Sequence, residues 1–204
     1  MAAIRMGFVG LSPNGSWAAK AHFPYLQQTS KYCITALCNS TIAAAEASVE
    51  YFGLSSSVRA YDSYTELAND PTVDLVICSV RVDKHYDICR AAIQAGKDCW
   101  SEWPLGKDLS QARELQALAI ERGIRTVIAL PLRVNPFVNT IRRLVRDGKI
   151  GRVLSTTIFS CGGSVGAQDP VRLKYLNEKE YGGNLVTIFF AHCEYAVISS
   201  IEKD

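Results

Sequence analysis

The chain has 204 residues, 48% of them apolar and 21% charged, the balance of an ordinary globular protein. Such a chain buries enough apolar surface to offset its conformational entropy, which excludes a disordered tail, and 14 glycines with 7 prolines exclude collagen-like and low-complexity classes. Lys and Arg (22) against Asp and Glu (20) leave a net charge of +2, so no global field points to nucleic acid or to an acidic partner.

Strand and helix signals alternate from the N-terminus. Ile4 to Val9 reads as a short strand ending in Gly10, followed by a loop over Leu11 to Ser16 and a helix from Trp17 to Gln28. Met1 to Gly10 lacks the long apolar core of a signal peptide. Cys33 to Cys38 is a second strand, stopped by Asn39-Ser40. Thr41 to Phe52 is Ala-rich and helical, with Gly53 as its C-terminal cap. Ser63-Tyr64-Thr65-Glu66 has capping-box spacing and opens a short helix. Val73 to Cys78 is β-branched and almost continuously apolar, as a strand covered on both faces should be. A helix over His85 to Ala95 ends at Gly96. Asp98 to Ser101 is a strand halted by Pro104, and Asp108 caps a helix that ends at Gly123. Ile124 to Leu130 reads as another buried strand. Asn135-Pro136 supplies a cap and a first-turn proline to a helix ending at Gly148. There Val138, Ile141, Leu144 and Val145 share a face, and Arg142, Arg143 and Arg146 fall mostly opposite, as a solvated face. A strand over Arg152 to Ser160, a glycine-rich loop over Cys161 to Ala167 and an apolar helix within Leu185 to Ile201 follow. His192 and Glu194 in that last run argue against a membrane span.

Repeated strand–helix–strand units imply parallel strands, right-handed crossovers and helices on both sheet faces. The expected fold is α/β: a Rossmann-type doubly wound parallel sheet over 1–131, followed by an incomplete α+β second domain over 132–204. The 7 cysteines are odd in number and form no CxxC pair, and several lie in strand-like apolar runs. They are expected to be buried, reduced thiols of a cytoplasmic protein. His85 and Cys89 stand four apart on one helix but lack two further ligands, so no metal site is expected.

The turn Gly10-Leu11-Ser12-Pro13-Asn14-Gly15-Ser16-Trp17 sits where a dinucleotide fold holds a pyrophosphate on helix N–H groups. The G-x-G-x-x-G fingerprint is partly met: Gly10 and Gly15 match, and Ser12 takes the middle glycine's place. The second strand ends in Cys38-Asn39-Ser40-Thr41, without the acid that accepts the ribose 2′-hydroxyl of NAD. That leans toward NADP, with Ser40 or Thr41 donating to a 2′-phosphate.

Several segments together resemble the Gfo/Idh/MocA oxidoreductase family. They are Gly7-Phe8-Val9-Gly10-Leu11 with His22-Phe23-Pro24, then His85 through Ala95-Gly96-Lys97 to Glu102-Trp103-Pro104-Leu105. Arg133-Val134-Asn135-Pro136 with Gly148-Lys149-Ile150-Gly151 follows, and last Gly182-Gly183-Asn184-Leu185 leading to His192. Within the family, Trp17-Ala18 and Leu185-Val186-Thr187 are similar to the fungal branch that includes the galactose-pathway repressor. The resemblance implies an NAD or NADP site at Gly10, Ser12, Gly15, Ser16, Trp17, Asn39, Ser40, Ser79, Arg81, His85 and Glu102. It also implies hydride transfer to or from a small carbonyl or alcohol, sugar-like or a secondary metabolite. The alternatives are a non-catalytic dinucleotide-sensing regulator and an inactive truncated remnant.

Two departures bear on catalysis. Trp103 stands where the family has a lysine, and an indole N–H is not a usable acid or base. It stacks on a nicotinamide or substrate, or it packs a strand end. Ile188 stands where the family has an aspartate four residues before the histidine. His192 stays in register as an acid–base candidate, with Lys174, Tyr175 and Tyr181 as further proton donors. The apolar helix over 185–198 needs cover on every side, which makes it a candidate surface for a second copy or a protein partner.

Overall fold

The computed structural model describes residues 2–159, 175–194 and 198. It divides into two compact units, Met1–Ile128 and Ala129–Asp204.

In the first unit β1 (Ile4–Val9), β2 (Tyr32–Cys38), β3 (Arg59–Tyr61), β4 (Leu75–Cys78), β5 (Asp98–Glu102) and β6 (Thr126–Ala129) form one sheet in the order β3-β2-β1-β4-β5-β6. The pairs β1/β2, β1/β4, β2/β3 and β4/β5 are parallel. This is the doubly wound α/β arrangement that the alternating pattern predicts.

Side chains alternate across a strand, so each strand feeds two cores. Met6, Phe8, Leu37 and Ile77 pack on one face with Leu11, Ala18, Phe23 and Ala45. Val9, Ala36, Cys38, Val76 and Cys78 pack on the other with Leu67, Ile88, Ile93 and Leu115. Phe8 and Leu67 are fully buried, and burying a side chain of that size contributes roughly 2–3 kcal/mol. Gly7 lies between the layers because a methyl there would stand 2.6 Å from the Leu67 side chain.

The helices start and stop on local signals. Thr41 caps α3 (Ile42–Tyr51), Ser63 caps α4 (Tyr64–Asn69) and Asp108 caps α6 (Leu109–Arg122), each side chain accepting a first-turn N–H. α5 (His85–Gln94) stops just before Gly96. The helix expected over Trp17 to Gln28 is instead two, α1 (Trp17–Ala21) and α2 (Phe23–Leu26), which meet at His22. Pro24 has no N–H to give, so the first helix is not continued through it.

Two further expectations need correction. Thr126, Val127 and Ile128 of β6 are exposed rather than buried, because β6 is the edge strand; apolarity does not record which layer covers a residue. Cys33 is exposed on β2, whereas Cys38, Cys78 and Cys99 are buried in their strands as expected. Burial pushes the Cys38 thiol up to about 11.

In the second unit α7 (Pro136–Arg146) starts as expected, with Asn135 accepting the Phe137 N–H and Pro136 in the first turn. Val138 is buried on it, and Arg143 and Arg146 are exposed. Arg142 is half-buried and reaches Asn139 Oδ1 at 3.3 Å. The strand expected over Arg152 to Ser160 is not seen among the described residues 152–159. The glycine-rich loop lies outside the described residues. The apolar segment opens as a π-helical turn, Leu185–Phe190, capped by Asn184 and Thr187 in a reciprocal box. No described helix is long and apolar enough to cross a membrane.

Candidate functional site

β1 lies between β2 and β4, where the strand order reverses. In a doubly wound sheet the connections there diverge to opposite faces and leave a crevice outside the carboxyl ends of the strands. The backbone draws the three strand ends together: Gly10 N donates to Cys38 O at 3.1 Å, and Ser79 N donates to Val9 O at 3.0 Å. Gly10 has φ +98°, and a methyl there would stand 2.2 Å from Ser79 O. Only glycine allows that approach. Among the described residues the Ser79 hydroxyl is buried without a hydrogen-bond partner. A buried hydroxyl left unbonded costs free energy, so it marks a place for a ligand or an ordered water.

The turn from β1 to α1 is bonded to itself. Ser16 Oγ accepts from Ser12 N (3.1 Å) and Ala19 N (3.2 Å) and donates to Ser12 O (2.8 Å). Ser12 Oγ accepts from Asn14 N at 3.3 Å, and Gly15, at φ +78°, donates its N–H to Pro13 O at 2.8 Å. The Ser12 side chain is thereby engaged within the turn. Leu11 is fully buried, and Trp17 is 57% exposed.

Around the rim some expected contacts hold the protein together instead. Asn39 Nδ2 donates to Leu11 O (3.1 Å), Ala44 O (3.3 Å) and Ser48 Oγ (3.0 Å), fixing the first turn to α3. Ser40 is exposed beside it. Arg81 makes a two-point pair with Asp83, at 2.5 and 2.8 Å. Burial pushes the Asp83 carboxyl up, but the Arg81 guanidinium outweighs it and holds it below the usual range.

His85, expected on the cofactor side, is 1% exposed. Its Nδ1 lies 2.7 Å from Pro104 O and its Nε2 2.9 Å from Val80 O. It ties the loop after β4 to the loop after β5, so it shapes the crevice without facing it. Glu102 is likewise engaged: its Oε1 lies 2.6 Å from His22 Nε2. The His22 ring stands edge-on to Trp100, with centroids 4.7 Å apart. This contact at the α1/α2 junction was legible only as the His22-Phe23-Pro24 motif, whose spacing gives no hint of a partner eighty residues away. Trp103 is half-buried directly after β5.

In the second unit His192, Ile188, Tyr175 and Tyr181 are all half-buried, and Lys174 lies outside the described residues. The first unit thus gathers Gly10, Ser12, Gly15, Ser16, Trp17, Asn39, Ser40, Ser79 and Arg81 on the ends and following loops of β1, β2 and β4. The fit to a dinucleotide rests on two of them: the side-chain-free approach at Gly10 and the orphaned hydroxyl of Ser79.

Residues 4–129 match the oxidoreductase family with an NAD-binding Rossmann fold, GFO_IDH_MocA, and residues 136–201 match the Gal80p C-terminal domain. The chain belongs to the Gfo/Idh/MocA family and carries the Gal80p-type second domain. It is 34% identical to the galactose/lactose metabolism regulatory protein GAL80 of Saccharomyces cerevisiae, over 94% of this chain and 46% of that protein. It is 36% identical to the dehydrogenase aclE of Aspergillus oryzae, over 93% and 52%. A crystal structure of a super-repressor mutant of Gal80p from Saccharomyces cerevisiae superposes with a TM-score of 0.89 and 32% identity, covering 98% of this chain and 53% of that one. The chain spans about half the length of these relatives.

Proposed function

We propose that the first unit binds NADP or NAD in the crevice at the carboxyl ends of β1 and β4. On that reading the protein is an oxidoreductase acting on a small carbonyl or alcohol, sugar-like or a secondary metabolite. The observation that carries the reading is the Ser79 hydroxyl, buried without a partner beside a glycine that leaves no room for a side chain. Gly10 and the Leu11–Ser16 turn would flank the phosphates, and the exposed Ser40 would donate to a 2′-phosphate. Trp17 and Trp103 offer flat apolar faces for ring stacking. Arg81 would attract the phosphates once released from Asp83. Asn39, His85 and Glu102 act as positioning residues through the contacts described above. The bound dinucleotide would supply the hydride. His192 of the second unit is the proposed acid–base residue.

A second reading is favoured by two specific residues. Trp103 and Ile188 both lack a titratable group, so a chain that binds the dinucleotide and signals its presence to a protein partner accounts for them directly. The exposed Val186, Phe189 and Phe190 of the 185–198 segment offer such a partner, or a second copy, an apolar surface. Reduced cysteines would suit a cytoplasmic setting for either reading.

Titration with NADPH and NADH, followed by nicotinamide and tryptophan fluorescence, tests both. Saturable binding with turnover on a panel of sugars and ketones supports the enzyme. Binding without turnover supports the regulator, and no binding of either dinucleotide overturns both. Turnover gained by Trp103→Lys identifies the missing lysine as the limiting part.

A further inference from the structure

The sequence holds seven asparagines, at 14, 39, 69, 135, 139, 177 and 184, and Asn14 alone is followed by a glycine. Most of the others are tied by their side chains. Asn39 Nδ2 donates to three acceptors, and Asn69 and Asn139 each donate to a backbone carbonyl, at 2.8 and 3.2 Å. Asn135 and Asn184 accept first-turn N–H groups as caps, and the residue after Asn135 is a proline, which has no N–H. Asn14 differs from these. Among the described residues its side-chain amide makes no hydrogen bond, and only its backbone N–H is engaged, by Ser12 Oγ at 3.3 Å.

Asn14 and Gly15 are both exposed, on the turn between β1 and α1. Gly15 sits at φ +78° and has no Cβ to shield its nitrogen from the side chain before it. The Gly15 N–H donates to Pro13 O at 2.8 Å, and that bond must open before the nitrogen can react. A single turn bond between exposed residues opens without the loss of packed contacts, so its opening is frequent on the scale of slow chemistry. The bonds from Ser16 Oγ to Ser12 hold the rest of the turn meanwhile.

We infer that Asn14 is a site of spontaneous deamidation, which places a negative charge on the turn proposed to flank the phosphates and so weakens the dinucleotide site as the protein ages. The step needs only water. The Gly15 nitrogen gives up its proton and attacks Asn14 Cγ. The C–N bond of the side-chain amide breaks, and its nitrogen departs with that proton as ammonia. The product is a succinimide ring between the two residues. Water adds to one of the two ring carbonyls and the ring C–N bond breaks there, leaving aspartate or isoaspartate. In sum an amide and a water become a carboxylic acid and ammonia, and the acid is ionised at neutral pH. The new carboxylate opposes the phosphates by like charge. The covalent step is independent of dinucleotide binding, and its consequence rests on the function proposed above.

The test incubates the whole folded chain in neutral and in mildly alkaline buffer, digests samples with trypsin and follows peptide masses over time. Asn14 falls in peptide 6–20, which holds no other asparagine or glutamine, and the exposed Asn177 is the internal control. Peptide 6–20 is expected to gain the difference between OH and NH2 roughly tenfold faster than the Asn177 peptide, as a free side chain beside a residue without Cβ allows. The gain should be faster in the alkaline buffer, because the attacking nitrogen must lose a proton, and absent from Asn14→Gln. The aged protein, separated from the fresh by its extra negative charge on anion exchange, should bind NADPH about fivefold more weakly, and Asn14→Asp should match it. A peptide 6–20 that keeps its mass while the Asn177 peptide gains overturns the inference. Aged protein and Asn14→Asp that both bind NADPH as tightly as the fresh protein overturn its consequence. Fresh protein that binds neither dinucleotide overturns the function proposed above, whereas the modification is decided by mass alone.

Discussion

The two rims of the parallel sheet are built from different chemistry. At the N-terminal rim the strands are pinned by charge. Arg5 on β1 grips Asp74 just before β4, at 2.6 and 2.9 Å, and Arg125 just before β6 grips Asp98 on β5. The Asp70 side chain, fully buried, accepts from Arg59 (3.0 Å), Tyr61 (2.9 Å) and both the N–H and hydroxyl of Thr72 (2.7 Å each). Lys97 adds bonds to the Asp70 and Val73 carbonyls. At the C-terminal rim the strand ends themselves meet through backbone amides and a glycine, the Arg81–Asp83 and His22–Glu102 pairs flank them, and the Ser79 hydroxyl stays unmatched. Saturated bonds lock geometry, whereas unsaturated groups leave binding capacity. One rim therefore carries stability and the other is available for function.

This division can be broken from either side. The largest effect is expected at Gly10→Val. A Cβ 2.2 Å from Ser79 O and a φ of +98° force the crevice apart. Dinucleotide affinity should fall more than about 100-fold, read by fluorescence titration, with a clear drop in melting temperature.

Asp70→Ala attacks the opposite rim. Burial pushes the Asp70 carboxyl up, but the bonds from Thr72, Tyr61 and Arg59 outweigh it and hold it below the usual range. Losing them should cost about 3 kcal/mol in urea unfolding. Dinucleotide affinity should stay within about threefold when the titration is done at a temperature where the variant is folded. A matching collapse of affinity would mean that the two rims are coupled.

Ser79→Ala sharpens the comparison. Removing an unmatched buried hydroxyl should leave stability equal or slightly higher. Affinity should weaken about fivefold, the size of one neutral hydrogen bond. Unchanged affinity would mean that water, not the dinucleotide, satisfies Ser79.

The smallest effect is acid dependence at Asp74. Its hydrogen bonds with Arg5 and the charge of Arg5 lower its carboxyl from the ordinary 3.8 to about 2. A carboxylate lowered by folding contributes stability above its unfolded value and loses it as pH falls through the folded one. That contribution should be present at pH 5 and disappear between about pH 4 and pH 2. Asp74→Asn should flatten this part of the stability–pH curve, and the pair's exposure keeps the amplitude small.

Most of the fold was legible because its signals are local. Thr41, Ser63, Asp108 and Asn135 are cap residues that act within three or four positions of themselves. The positive-φ glycines at 53, 96 and 123 punctuate helices regardless of what packs around them. The strand-end placement of the candidate residues was legible, but the bonds their side chains make were not. Asn39, His85 and Glu102 were expected at the cofactor, yet each spends side-chain atoms on a distant segment: Leu11, Pro104 and His22 respectively. Nothing in the local spacing of a histidine indicates that two carbonyls five and nineteen residues away will close on it.

The amino-acid order by itself determined the alternation of strand and helix and the turn that opens the crevice, because those follow from period, capping and backbone stereochemistry. Tertiary structure alone decided which polar groups found partners, that Asp70 is saturated and Ser79 is not and that His22 meets Glu102, and it placed three cysteines from two strands and a helix in one core cluster. Partnership between groups tens of residues apart is fixed by strand order and layer packing, and those exist only once the chain has closed.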